Sequence, residues 1–223
     1  MGWQNPGRML EKLTLYGVSF SRDQLQSLRN HWNNLKHIHI SSWQSENAII
    51  AEFIASYGEQ LELVYVNNMA EGELNLVAGS CINARFHAFI CTEHLLIPTL
   101  RILGPRLDNI LIICIINGFN KEEWEAAWKL CTSLRVLDTS LLKVEEIRAI
   151  MHTPKLYLTE VSISFSRFRD VDDSTKETVM NIITEGTMNL HILRFRGNPS
   201  LTASSKLIQK NYLGMSAWCR LAD

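Results

Sequence analysis

One spacing recurs along this chain: an apolar residue, two variable residues, a second apolar residue, one variable residue, then a third apolar or small residue. It occurs at Leu10-Leu13-Leu15, Leu35-Ile38-Ile40, Leu61-Val64-Val66, Cys81-Ala84-Phe86, Leu107-Ile110-Ile112, Leu134-Leu137-Thr139, Leu158-Val161-Ile163 and Leu190-Leu193-Phe195. Successive starts lie 25, 26, 20, 26, 27, 24 and 32 residues apart. A single match carries little information, but eight in phase require one supersecondary unit to be repeated from end to end. The fourth match is the weakest, because Cys81 and Ala84 replace branched residues, and the eighth follows an insertion.

Between matches the apolar period changes from two to about 3.6, as where Ile49, Ile50, Phe53 and Ile54 share one face of the segment from Glu46 to Ala55. Each repeat therefore reads as a strand followed by a helix. Further helices are predicted over Arg22 to His31, Glu71 to Ala78, Lys121 to Leu130, Val144 to Met151 and Thr175 to Thr184, with Ser21, Asn120 and Ser174 as amino-terminal caps. Pro98 should end a helix early or stand near its start, and Pro154 should close the helix after the sixth strand. One strand-helix unit cannot bury both of its apolar faces, so stability must come from stacking strand on strand and helix on helix. Helices pack about 8 to 10 Å apart and paired strands about 4.8 Å apart, which puts a parallel sheet on the concave side of an α/β solenoid and the helices on its convex side.

Composition narrows the function. At about 150 residues per domain, 223 residues suit one extended domain or two small ones. Hydrophobic residues make up 46% and charged residues 20%, which is globular and excludes a disordered chain. Lys and Arg number 22 against 23 Asp and Glu, so no basic excess is available to neutralise phosphates and nucleic acid is not expected as a partner. The longest apolar run, Ile110 to Ile116, is far shorter than the roughly 18 to 20 residues of a membrane span. Met1 to Arg8 lacks the apolar stretch of a signal peptide, and Pro6 stands where a myristoylation signal needs Ser or Thr. Cys81, Cys91, Cys114, Cys131 and Cys219 are odd in number, contain no C-x-x-C pair and read as reduced core residues. The sole Asn-x-Ser motif, Asn198-Pro199-Ser200, is disabled by its proline. These features favour a cytoplasmic or nuclear protein.

Side chains two, four and six places after the first apolar residue of each match alternate onto the open face of the sheet. Candidate partner-binding residues there are Tyr16, His37, His39, Tyr65, Arg85, His87, Leu111, Ile113, Val136, Asp138, Glu160, Arg194 and Arg196. Tyr65, Arg85 and His87, with the apolar Leu111, Ile113 and Val136, have the aromatic, arginine and aliphatic mixture of protein interface cores. Asp138 and Glu160 form an acidic flank. Alternatively, Leu111 and Ile113 are covered by an insertion or by the carboxyl-terminal tail, or the register is displaced. Arg194 and Arg196, with Arg167 and Arg169 one repeat earlier, make either a basic end suited to an acidic group or a solvated edge. His37 and His39 share a face, but His87 lies two strands away at about 10 Å, too far to join ligand bonds near 2.0 to 2.1 Å. No metal or other cofactor is expected.

Trp124 and Trp128, four apart, should pack in the core or between helices, and Trp43 falls at a strand exit. No phosphate-binding glycine loop, nucleophile elbow or H-E-x-x-H zinc motif is present. The acidic pairs Glu122-Glu123, Glu145-Glu146 and Asp172-Asp173 lie at helix starts, where the dipole favours them without any catalytic role. An enzyme is not expected.

From Leu10 to Gln209 the repeats resemble those of the leucine-rich repeat family, and their strand-plus-helix form resembles its ribonuclease-inhibitor-like and F-box-associated branches. The family motif carries Asn or Cys eight positions after the first leucine. Here those positions are Val18, Trp43, Met69, Phe89, Ile115, Leu142, Ser166 and Asn198, so only the last keeps it. The resemblance implies a non-enzymatic module that binds a protein partner on its concave face. The F-box branch further implies the substrate-recognition part of a ubiquitin-ligase receptor, reaching the ligase adaptor through an amino-terminal region that the nine residues before Leu10 are too few to form. The alternatives are an inhibitor or sensor domain of an intracellular regulator and a structural subunit of a larger assembly. The expected organisation is an extension over 1–9, a solenoid over 10–209, and a cap or tail over 210–223.

Overall fold

A computed structural model describes residues 10–16, 20–41, 47–114, 116–140, 143–153, 155, 157–164 and 173–196. Trp43, Pro154, Arg167, Arg169, Asp172, Cys219, the side chain of Arg196 and the segments 1–9 and 210–223 lie outside the described residues. The chain divides into two compact units, Met1–Phe89 and Ile90–Asp223.

In the first unit the strands β1 (Lys12–Tyr16), β2 (His37–Ser41), β3 (Leu63–Asn67) and β4 (Arg85–Ile90) alternate with the helices α1 (Arg22–His31), α2 (Asn47–Ala55) and α3 (Glu71–Ser80). The strands pair in parallel in chain order. The matched apolar positions form the core rows: Leu13, Ile38, Val64 and Phe86 are all buried, as are Leu35 and Leu61 at the repeat starts. Ile50, Phe53 and Ile54 of α2 and Leu74 and Val77 of α3 close over them. α1 buries only Leu25, worth about 2 kcal/mol, and depends on its cap. There the Ser21 amide donates to Gln24 Oε1 at 2.9 Å and the Gln24 amide donates to Ser21 Oγ at 3.3 Å, a complete capping box.

Four of the strands are entered in the same way. The Glu11 carbonyl accepts from the amides of Lys36 and His37, and the Lys36 carbonyl from those of Glu62 and Leu63. The Arg135 and Thr159 carbonyls repeat this in the second unit. One carbonyl serving two amides of the next repeat fixes how these strands are stacked on the ones before them.

The fourth strand corrects the repeat spacing. Leu63 pairs with Arg85, Val64 with Phe86 and Val66 with Ala88, so the core row is Phe86-Ala88-Ile90, two residues later than the match on Cys81-Ala84-Phe86. A slip of two keeps every side chain on its face. Cys81 and Ala84 are still buried, but before the strand.

The second unit holds α4 (Leu96–Leu103), β5 (Leu107–Ile112), α5 (Lys121–Lys129), β6 (Val136–Ser140), α6 (Val144–Met151), β7 (Glu160–Ser164), α7 (Asp173–Gly186) and β8 (Ile192–Arg196). Its strands are again parallel and in chain order. Pro98 is the third residue of α4, where its missing amide costs no helical bond. Trp124 and Trp128 are both buried, as their spacing predicts. Asn120 caps α5, its Oδ1 accepting from the Glu123 amide at 3.2 Å. Ser174, expected as a cap, is instead the second residue of α7. Cys81, Cys114 and Cys131 are buried thiols outside any disulfide, whereas Cys91 is exposed rather than in the core. Burial pushes the Cys114 and Cys131 thiols up to about 11 and about 12, which keeps them protonated and inert. No helix among the described residues is long and apolar enough to cross a membrane.

Candidate interaction surfaces on the open sheet faces

The open face of the first unit is a grid set by strand register. Lys12, His37, Leu63 and Arg85 form one row across the four strands; Thr14, His39, Tyr65 and His87 form the next. Tyr16 pairs with Ser41, and Asn67 with Phe89, in a third. None of these positions carries Asp or Glu.

Neighbouring strands bring side chains of equal register within ring-stacking distance. His39 and Tyr65 stack with centroids 4.3 Å apart and planes 9° from parallel. His87 meets the far side of Tyr65 at 4.5 Å and 71°, and Tyr16 reaches His39 diagonally at 4.7 Å and 80°. The Tyr16 hydroxyl and His39 Nδ1 share a hydrogen bond of 3.0 Å. The result is a four-ring ladder with one ring from each strand. Tyr16, at its end, is 63% exposed. Desolvation lowers the pKa of His39 below 6.5, and the neighbouring His87 and Lys12 add to the effect. Its ring is therefore neutral at physiological pH.

Beside the ladder, Asn67 Nδ2 donates to Ser41 Oγ at 2.9 Å, bridging β2 and β3. At the strand-entry edge Lys36 Nζ lies 3.4 Å from Glu62, and His37 Nε2 lies 3.9 Å from the same carboxylate. Four of the expected site residues thus come together as one structure: Tyr16, His39, Tyr65 and His87. His37 and Arg85 stand in the adjacent row. Phe89 was missed. It joins this face only once the fourth strand is placed in its true register, and its signal in the sequence was the alternation that continues through Ile90.

The second unit arranges its face differently. Asn109, Val136, Glu160 and Ile192 share one row, and Leu111, Asp138, Ser162 and Arg194 the next. Leu111 is therefore opposite Asp138, and Val136 opposite Asn109, so the expected apolar patch is interrupted by polar neighbours. Ile113 lies just beyond β5 and is 41% exposed. Glu160 accepts from Arg194 in a close ion pair. The acidic flank and the basic end expected from the sequence thus meet on adjacent strands and offset each other's charge. Ser162, on the same face, is buried and its hydroxyl has no hydrogen-bond partner.

No group of three His, Cys, Asp or Glu side chains suited to hold a metal occurs among the described residues. Elsewhere in this unit Glu146 is buried at the start of α6. Its Oε2 accepts from the Lys143 amide at 2.7 Å, while Oε1 has no partner. Desolvation raises its pKa. Glu93 instead faces outward, accepting from the amides of Gly118 and Asn117 at 2.7 and 2.8 Å, and these bonds lower its pKa.

No family profile matches the chain, and no curated protein matches it in sequence. Among solved structures it is similar to the leucine-rich repeat-containing protein LegL7 from Legionella pneumophila, at 11% identity and a TM-score of 0.50, over 85% of this chain and 76% of that one. This likeness and the parallel strand-helix repeats identify the fold as an α/β leucine-rich repeat solenoid.

Proposed function

We propose that this chain is a non-enzymatic recognition module that binds a protein partner on the open face of its sheet. The carrying observation is the ladder of Tyr16, His39, Tyr65 and His87. Tyrosine with arginine is the composition in which interface energy concentrates, and four aromatic rings left on the face opposite the helices have no role in closing the core. In the second unit Leu111, Ile113 and Val136 offer a further apolar contact, flanked by Asp138 and the Glu160–Arg194 pair. Within this reading, the substrate-recognition part of an F-box-type ubiquitin-ligase receptor is the role that the repeat form suggests. An inhibitor or sensor domain of an intracellular regulator is the competing role.

Affinity purification from cells tests this reading. Wild type is compared with Tyr65→Ala/Arg85→Glu in the first unit and with Leu111→Asp in the second, each shown by circular dichroism to be folded. Loss of the same partner from the first variant supports the open face as the site. Ligase adaptor subunits among the retained proteins favour the F-box role. Identical partner sets for all three proteins would remove the open face from consideration.

A second reading, a subunit packed into a larger assembly, has one observation in its favour. Leu130, Tyr157 and Met188 leave successive helix-to-strand connections of the second unit with 40%, 60% and 71% exposure, a spaced apolar edge of the kind that partners cover. Substituting all three with Ser and measuring the oligomeric state tests it.

A further inference from the structure

We infer that Asn117 is a latent deamidation site and that Glu93 guards it, so that the loop between β5 and α5 carries a slow covalent switch from amide to carboxylate.

The sequence supplies the chemistry. Asn117-Gly118 is the only Asn-Gly pair in the chain, and both residues are exposed. Glycine has no Cβ to keep its amide nitrogen away from the preceding side chain, which makes Asn-Gly the pair in which that nitrogen most readily attacks the asparagine carboxamide. In the reaction the Gly118 amide gives its proton to solvent, a bond forms from its nitrogen to Asn117 Cγ, and the bond from Cγ to Nδ2 breaks as ammonia leaves. Water then opens the resulting succinimide ring at one of its two carbonyls, leaving aspartate or isoaspartate. The sum is one water taken up and one ammonia released, with no change of oxidation state.

The fold holds this reaction back. Glu93 lies in the single turn Glu93–Leu95 between β4 and α4. Its Oε1 accepts from the Gly118 amide at 2.7 Å and from the Asn117 amide at 2.8 Å, and Asn117 Nδ2 reaches its Oε2 at 3.5 Å. The attacking nitrogen is thereby held to its proton by a charge-assisted bond. Two consecutive amides aimed at one oxygen fix the backbone on both sides of the Asn117 Cα, and the contact from Nδ2 fixes the side chain, whereas ring closure needs both to turn. The attack also puts negative charge on Asn117, beside a carboxylate that repels it. Glu93 is too weak a base to take an amide proton itself, because the same bonds, that from Gly118 foremost, hold its carboxyl below the ordinary carboxylate value.

Conversion undoes the guard. An aspartate at 117 replaces the donor facing Glu93 Oε2 with a second carboxylate, and the like charges repel. The loop is then released next to Ile113, which is 41% exposed and is one of the residues proposed above for partner contact.

The experiment incubates the whole chain at pH 7.5 and 37 °C and follows the peptide containing residue 117 by mass spectrometry and by enzymatic methylation of isoaspartate. Circular dichroism checks that each variant is folded, and each is also incubated in guanidinium chloride. Folded wild type should convert more slowly than unfolded wild type. Folded Glu93→Ala should convert about tenfold faster than folded wild type, and Glu93→Gln, which keeps an acceptor without the charge, should fall between them. In guanidinium chloride the three proteins should convert at one rate. Adding Gly118→Ala to either variant should make conversion slow again. That alanine is tolerated, since the Gly118 backbone is not left-handed and an added Cβ finds Glu93 Oε1 nearest, at 3.5 Å. Should Glu93→Ala fail to fold, Glu93→Gln carries the comparison. Equal rates for folded wild type and the Glu93 variants would overturn the guard, and slower variants would make Glu93 a promoter of the reaction instead. No conversion in any folded protein would overturn the site. Asn117→Asp should speed hydrogen exchange at the Gly118 amide, and unchanged exchange would overturn the release.

Discussion

His39 and Tyr65 lie in register on adjacent parallel strands with their rings stacked 4.3 Å apart, closer than the strands themselves at about 4.8 Å. Such a pair contributes beyond its buried area, by about 0.5–1.5 kcal/mol. A double-mutant cycle of His39→Ala and Tyr65→Ala in urea should return a coupling energy in that range. Additive effects would mean that the stack is only a consequence of register.

The same histidine makes the first unit sensitive to acid. Its pKa is lowered in the folded chain, so below about 6.5 the unfolded state binds the proton that the folded state resists. Stability is retained above 6.5 and lost as the pH falls from there through the lowered folded value. Between pH 7.5 and 5.5 the urea midpoint of wild type should drop by more than that of His39→Phe, which keeps a ring in the ladder but has nothing to titrate. Parallel curves for the two proteins would contradict the assignment.

Glu146 shows the opposite sign. Its carboxyl is buried with Oε1 unpartnered and its pKa is raised, so the folded state holds a proton more tightly than the unfolded state and stability is lost as the pH rises through that window. Glu146→Gln keeps an acceptor for the Lys143 amide and removes the charge. It should stabilise the chain by about 1 kcal/mol at pH 8, with the advantage shrinking toward pH 5. A destabilised variant at pH 8 would show that the charge is compensated.

Much of this fold was legible because one unit is repeated. α1 and α6 match their expected limits, and Ser21 and Asn120 cap their helices as their side chains suggest. The register of β4 was less legible, since Cys81-Ala84-Phe86 fits the repeat's apolar spacing while the true core row, Phe86-Ala88-Ile90, shows only as alternation after the polar Asn83, and pairing with β3 is what separates them. For the open faces, alternation placed Tyr16, His39, Tyr65 and His87 on one side of the sheet but omitted Phe89 and did not give their relations. That His39 would stack on Tyr65, or that Glu160 would meet Arg194, depends on strand register, which one sequence pattern leaves free by two residues. The burial of Ser162 on that face had no sequence signal.

Lys155 is buried, and its Nζ donates to the Trp128 carbonyl at 2.6 Å near the end of α5. Desolvation lowers its pKa. The same carbonyl also accepts from the Cys131 amide, so losing the amine does not orphan it. Lys155→Met, which keeps the apolar stem, should fall within about 1 kcal/mol of wild type, while Lys155→Glu, which buries an uncompensated charge, should cost about 3 kcal/mol or more. Thermal denaturation of both separates helix capping by a dispensable amine from a required buried cation.

Two glycines with similar helical positions should respond to alanine in opposite directions. Gly79, near the end of α3, has nothing within 4 Å of an added Cβ. Gly79→Ala should therefore gain the helix-propensity difference, up to about 1 kcal/mol. Gly186 closes α7 where the backbone comes close to α6. An added Cβ there would stand 2.7 Å from Met151 Cβ and 3.2 Å from its carbonyl oxygen, and the Gly186 carbonyl accepts from the Lys155 amide at 3.1 Å. Neither neighbour is the free end of a flexible side chain, so the two helices must separate. Overpacking of this kind costs about 1–3 kcal/mol, which outweighs the propensity gain. Gly186→Ala should lower the thermal midpoint while Gly79→Ala raises it. Equal shifts would mean that α6 and α7 are free to move apart, and that the second unit is not held by the close approach of its helices.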